Sequence, residues 1–148
     1  MGEVSRIRMS LRKRTEEYLE AMYILQKEKG FIRVKDIAKK LGVKPSSVVG
    51  YLDDLAKKGY VEYEKHEFIR LTEEGKKIAS GVYEKHLLLK DFLSKVLGVP
   101  EKIAEEDACY IEHGINDLTI QRLTQFAKFL EENCEDIVVK FKKTFSSR

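Results

Sequence analysis

The sequence is poor in cysteine and proline, with two of each, and it holds no long apolar run. Cys109 and Cys134 make no disulfide framework, so each is open to a role as a core residue or a metal ligand. The lack of an 18-residue apolar stretch and of a signal-peptide core excludes a membrane span and makes a cytoplasmic protein the expectation. Pro45 and Pro100 both stand where a helix begins. No internal repeat, low-complexity stretch, glycine-rich phosphate loop or nucleophile motif occurs, so no enzyme class announces itself.

What is present is an ordinary globular composition, 43% hydrophobic and 36% charged over 148 residues. That length suffices for one sizeable core, or two small ones sharing a boundary. The net charge of +3 is mild, but it is unevenly spread. Arg6, Arg8, Arg12, Lys13 and Arg14 crowd the first fourteen residues, more lysines follow between residues 33 and 58, and residues 101–136 lean acidic. A basic front suits a polyanionic partner, although charged helix faces are more often merely solvated.

Periodicity organises the rest. Tyr18, Met22 and Leu25 recur at helical spacing from about Ser10 to Lys29, and Gly30 stops that helix. Val34–Leu41 reads as a short helix, Gly42–Lys44 as a tight turn, and Pro45–Lys58 as a third helix burying Val48, Leu52 and Leu55. The period then becomes two: Val61 and Tyr63, then Ile69 and Leu71, flank a hairpin tip at Lys65–Glu67. A long helix is predicted from Thr72–Gly75 to about Leu97, with Ile78, Val82, Leu89, Leu93 and Val96 as its stripe. Another should run from Pro100 to His113. A further one, capped by Asn116, carries Leu123, Phe126, Ala127 and Leu130. The state of Ile137–Phe145 is left open.

Two helices joined by a glycine-containing turn and followed by a hairpin form a winged helix-turn-helix. The predicted fold is mainly α with a small β-wing: a winged-helix DNA-binding domain over residues 1–74, then an all-helical dimerisation and metal-binding domain over 75–148. A helix starting at Pro45 directs its first-turn N–H groups and the Ser46 and Ser47 hydroxyls outward, where they can meet phosphates. Lys35, Lys44 and Tyr51 are expected to reach backbone or base edges, Gly50 to permit close approach to the groove, and Lys65 to touch the neighbouring strand. Such units also serve as plain packing modules, but three helices, a wing and a basic front together favour double-stranded DNA.

The second informative feature is Cys109-x-x-Glu112-His113, three donors at i, i+3 and i+4 of a helix. Thiolate, carboxylate and imidazole together suit a transition metal of borderline softness. By itself the triplet is weak, since a lone cysteine is more often core. Glu17 and Glu20 share a face of the first helix, and His86 interrupts an apolar stripe, where a histidine is usually a hydrogen-bonded core residue.

With these segments the chain resembles the diphtheria toxin repressor family, which includes iron-dependent regulators and the manganese transport regulator. The likeness covers roughly residues 10 to 140 and is carried by Thr15–Glu20, Val34–Ala38, Pro45–Val48, Leu71–Gly75, Lys85–Leu88 and Ala108–His113. The resemblance implies a metal-activated repressor of metal-homeostasis genes that binds a palindromic operator as a homodimer. It implies a primary site of Glu17, Cys109, Glu112 and His113, with Glu20 and His86 holding a second ion that shares Glu112. The iron branch's ancillary site needs a carboxylate one turn after His86 and a histidine at position 105. Lys90 and Glu105 stand there, so that site is expected to be absent or altered. A short form without the SH3-like third domain is expected. A thiolate beside carboxylates and imidazole leans toward Fe²⁺, with Mn²⁺ next. The competing reading is a winged-helix regulator responding to a small molecule, with the Cys/Glu/His cluster structural. Neither an enzymatic substrate nor a membrane partner is expected.

Overall fold

A computed structural model of the chain describes residues 3–64 and 68–145, and the side chains from residue 10 onward. The hairpin tip, with Lys65 and His66, lies outside the described residues, as do the side chains of Arg6 and Arg8. The chain divides into two compact units, Met1–Val82 and Tyr83–Arg148.

In the first unit α1 (Glu3–Lys29), α2 (Val34–Leu41) and α3 (Pro45–Lys57) precede an antiparallel pair, β1 (Val61–Glu64) and β2 (Phe68–Leu71). The first helix begins at Glu3, earlier than the start near Ser10 that the apolar stripe predicted. Its inward face sets Tyr18, Leu19, Met22 and Leu25 against Ile37, Val48, Leu52, Leu55, Val61 and Leu71. Each large aliphatic side chain fully buried there contributes on the order of 1.5–3 kcal/mol. Gly42 ends α2 in the left-handed region at φ 66°, which lets the chain reverse tightly into α3. In the wing Val61 faces Leu71 and Tyr63 faces Ile69, while Glu62 lies opposite Arg70, so one face is apolar and the other carries complementary charge.

The wing is tied to the start of α4 (Glu73–Asp91) by Thr72. Its N–H bonds the Tyr60 carbonyl at 3.1 Å, and its hydroxyl donates to the Gly59 carbonyl at 2.7 Å. The same hydroxyl accepts from the Gly75 N–H at 3.1 Å, capping the helix. Gly75 is required by contact: a Cβ there would meet the Tyr60 carbonyl oxygen at 2.0 Å.

The second unit takes up the later half of α4. Where an uninterrupted helix to Leu97 was expected, the α-helix ends at Asp91 and Phe92–Val96 widens into a π-helical turn. Within it the Leu97 N–H reaches the Phe92 carbonyl, and Gly98, at φ 72°, closes the turn. Then come α5 (Glu101–Ile111), α6 (Asp117–Asn133) and α7 (Glu135–Phe145). Asn116 caps α6 as expected, its side chain accepting from the Leu118 N–H. The segment left open by sequence is helical as α7. The unit's core is small, Leu89, Ala108 and Ile120 with Ile115 and Leu123 against them. Phe126, Phe129, Ile137, Phe141 and Phe145 remain exposed along α6 and α7. Among the described residues no helix is long and apolar enough to cross a membrane.

Candidate nucleic-acid interface and metal centre

The outward surface of the first unit follows from which residues its core leaves over. Val48, Leu52 and Leu55 point inward, so Lys44, Pro45, Ser46, Ser47 and Gly50 are exposed on α3, and Lys35 is exposed on α2. Lys44 is the N-cap residue of α3, and no side chain caps that end among the described residues. Pro45 has no N–H and the Ser47 and Val48 N–H groups bond the Lys44 carbonyl, so this end offers the Ser46 N–H beside the exposed Ser46, Ser47 and Lys44 side chains, a combination suited to phosphate.

Tyr51 corrects the sequence reading. It is 7% exposed and belongs to the core, its ring 4.5 Å from that of Tyr18. Thr15 Oγ1 donates to the Leu11 carbonyl at 3.0 Å, so the Tyr51 hydroxyl, also at 3.0 Å, is the donor to Thr15. The sign was available in the spacing: residue 51 falls three after Val48 and four before Leu55, on the buried stripe. What reaches the surface beside it is Arg14, whose guanidinium lies 4.5 Å over the Tyr51 ring.

In the second unit α4 carries His86 inward one turn before Leu89, and both are buried. Its Nδ1 lies 2.8 Å from Glu112 Oε2 and its Nε2 lies 2.9 Å from Glu105 Oε1. Glu112 caps the end of α5 and is 1% exposed, and His113 Nε2 lies 3.2 Å from its other oxygen, Oε1. That contact falls short of hydrogen-bond geometry, so Oε1 is a buried oxygen with no hydrogen-bond partner among the described residues. Burial pushes the Glu112 carboxyl up, but the adjacent imidazoles of His113 and His86 together outweigh it and hold the carboxylate below its ordinary range. His86 is held above its ordinary value, first by the Glu112 hydrogen bond, against the opposing effect of burial.

A wholly buried carboxylate flanked by two imidazoles, with one oxygen unsatisfied, is costly unless a positive group completes it. A divalent cation does so, and Glu112 and His113 offer donor atoms within 4.8 Å of one another. The residues present therefore fit a metal ion. Cys109 lies outside that grouping and is exposed, although it shares the helix. Position 108, not 109, turns into the core, and Ala108 packs there. In the first unit Glu20 is buried, while the Glu17 side chain is 40% exposed with Lys13 Nζ at 3.8 Å. Glu105, named in the sequence only as a departure from the ancillary site, is the partner on the Nε2 side of His86. Its position seven residues before Glu112, on one face of α5, was the available signal.

The sequence pattern described as "Iron dependent repressor, N-terminal DNA binding domain" matches residues 10–68, and "Iron dependent repressor, metal binding and dimerisation domain" matches residues 72–137. The chain belongs to the diphtheria toxin repressor family. The HTH-type transcriptional regulator MntR of Bacillus pumilus is 41% identical over 120 residues, covering 81% of this chain and 83% of the relative. The solved IdeR of T. acidophilum superposes with a TM-score of 0.69 at 31% identity, over 76% of this chain and 53% of that one. The manganese regulator SloR gives 0.67 at 30% identity, over 78% and 54%. The chain thus spans about half the length of these solved structures. As a member of the diphtheria toxin repressor family it is a metal-dependent transcriptional repressor of the MntR and IdeR type, not an enzyme, with a DNA-binding and a dimerisation domain.

Proposed function

We propose that the chain is a homodimeric repressor, activated by Mn²⁺ in preference to Fe²⁺, that binds palindromic operators of metal-homeostasis genes. The carrying observation is Glu112: buried, ionised, between two imidazoles, and with one oxygen unsatisfied. The ligands are His86, Glu112 and His113 from the helical domain, with Glu17 and Glu20 of α1 added by family resemblance. Exposure of Cys109 weakens the case for a thiolate ligand, and an oxygen- and imidazole-rich set moves the preference toward the harder ion. The 30% identical SloR is a manganese regulator, which points the same way. When bound, the cation supplies the positive charge that neutralises these carboxylates.

The DNA-binding domain comprises residues 1–74 and the dimerisation and metal-binding domain residues 75–148. Glu17 and Glu20 flank Tyr18 and Leu19, which pack in the same core as Val48 and Leu52 of α3. Ligands that hold α1 therefore also hold the recognition helix. The exposed apolar faces of α6 and α7 support a two-fold dimer, which would space two such helices for a palindrome. Lys35, Lys44, Ser46, Ser47 and Gly50 meet the duplex, with Lys65 contributing from the wing.

The test is selection of duplexes from a random-sequence pool by the full chain in Mn²⁺, followed by fluorescence anisotropy with Mn²⁺, anaerobic Fe²⁺ or chelator. Metal-dependent binding to a two-fold symmetric site is expected, with log K falling by about 0.9 per phosphate contact against log salt. Selection of no duplex, or binding indifferent to chelator, refutes the reading.

A further inference from the structure

Beyond the ligand set lies a chain of charged groups in the helical unit that runs away from Glu112. Glu105 Oε1 takes the Nε2 side of His86 at 2.9 Å, and its second oxygen, Oε2, lies 2.9 Å from Lys90 Nζ. Lys90 also reaches Glu101 Oε1 at 3.3 Å. Lys90 is one turn beyond His86 on α4, and Glu101 and Glu105 are one turn apart on α5, so both helices project these groups toward each other.

The two nitrogens of His86 are therefore unlike. The Nε2 side faces a carboxylate already anchored by an ammonium, whereas the Nδ1 side faces the carboxylate that carries the unsatisfied buried oxygen. An imidazole that ligates a cation uses one nitrogen as donor and keeps its proton on the other, and a hydrogen bond to that proton sets which is which. We propose that Glu105 and Lys90 are positioning residues for the metal centre: Glu105, held by Lys90, accepts the Nε2–H of His86 and commits Nδ1 to the cation beside Glu112. The Lys90 ammonium is at the same time the resident cation between Glu101 and Glu105, which leaves no charge demand there for a second metal ion.

This rests on His86 being a ligand, as proposed above, and the experiment separates the two. Zn²⁺ alone, which is diamagnetic, serves as probe, bound to the full chain labelled with ¹⁵N-histidine. Long-range ¹H–¹⁵N spectra should show His86 protonated at Nε2 and metal-shifted at Nδ1. Glu105→Ala should weaken Zn²⁺ binding about 10–100-fold in competition with a chelating dye, as loss of an outer-shell partner does. Lys90→Met should act in the same direction to a smaller extent. Glu105→Gln, whose amide oxygen can still accept from Nε2–H, should recover most of the affinity. Glu105 and Lys90 are solvent-accessible, so the apo variants should melt near the parent. Zn²⁺ attached at Nε2, or Glu105→Ala with parental affinity while His86→Ala loses it, overturns the positioning role alone. Parental affinity in His86→Ala overturns the ligand assignment and the positioning role with it.

Discussion

Gly75 and Gly81 lie on the same helix, six residues apart, and should respond to alanine with opposite sign. A Cβ on Gly75 would stand 2.0 Å from the Tyr60 carbonyl oxygen and 3.0 Å from its carbon, whereas one on Gly81 meets nothing within 4 Å. At Gly75 both parties are backbone, so no side chain can swing away. The helix start must retreat by roughly an ångström from the wing, at the upper end of the ~1–3 kcal/mol typical of overpacking. Retreat also stretches the Thr72 bonds to Tyr60 and Gly59, of which each contributes about 1 kcal/mol. Alanine's better helix propensity offsets about 1 kcal/mol of this, leaving a net loss of about 2–3 kcal/mol. For a unit of this size about 2 kcal/mol corresponds to a fall of about 8–16 °C in Tm. Gly81→Ala collects only the propensity gain, about 0.5–1 kcal/mol, and should raise Tm by a few degrees. The assay is thermal and urea unfolding of both apo variants in chelator, followed by circular dichroism. Parental stability in Gly75→Ala, or equal losses in both variants, would refute the close approach of α4 to the wing.

Three further outcomes follow from the same geometry. Gly50→Ala, exposed on α3 with open space around it, should stabilise the apo protein by up to about 1 kcal/mol while weakening DNA binding; gained stability with parental DNA affinity would place that helix face outside the groove. Tyr51→Phe removes the donor to Thr15 and should cost about 1 kcal/mol on unfolding, with the salt slope of DNA binding unchanged. A shallower slope would mean that the hydroxyl touches phosphate after all. Cys109→Ser should leave the Mn²⁺ concentration for half-maximal DNA binding unaltered; a substantial rise would restore the thiolate as a ligand.

Local pattern alone determined most of the architecture here. The change of period at Val61, the stop at Gly42, the start at Pro45 and the Asn116 cap each depend on interactions within a few residues, and such interactions are written in neighbouring letters. The order of the family segments likewise identified a metal-dependent repressor, and a triplet at i, i+3, i+4 drew attention to the end of α5, where Glu112 meets His86. Spacing could say that Cys109, Glu112 and His113 are neighbours; it could not say how far into the core each one turns. That depends on which side of α5 packs, and Ala108 and Glu112 take the buried side while Cys109 stays in solvent. Spacing sets Tyr51 on the buried stripe of α3, but its hydrogen-bond partner Thr15, thirty-six residues earlier in the chain, is chosen by packing between helices. The resemblance set Lys90 and Glu105 at one site with His86, but the bonds of His86 to Glu105, and of Glu105 to Lys90, join α4 to α5 and follow from how those helices pack. Donors can be counted in a sequence, but their partners are chosen by packing between elements, and only the tertiary structure decided them.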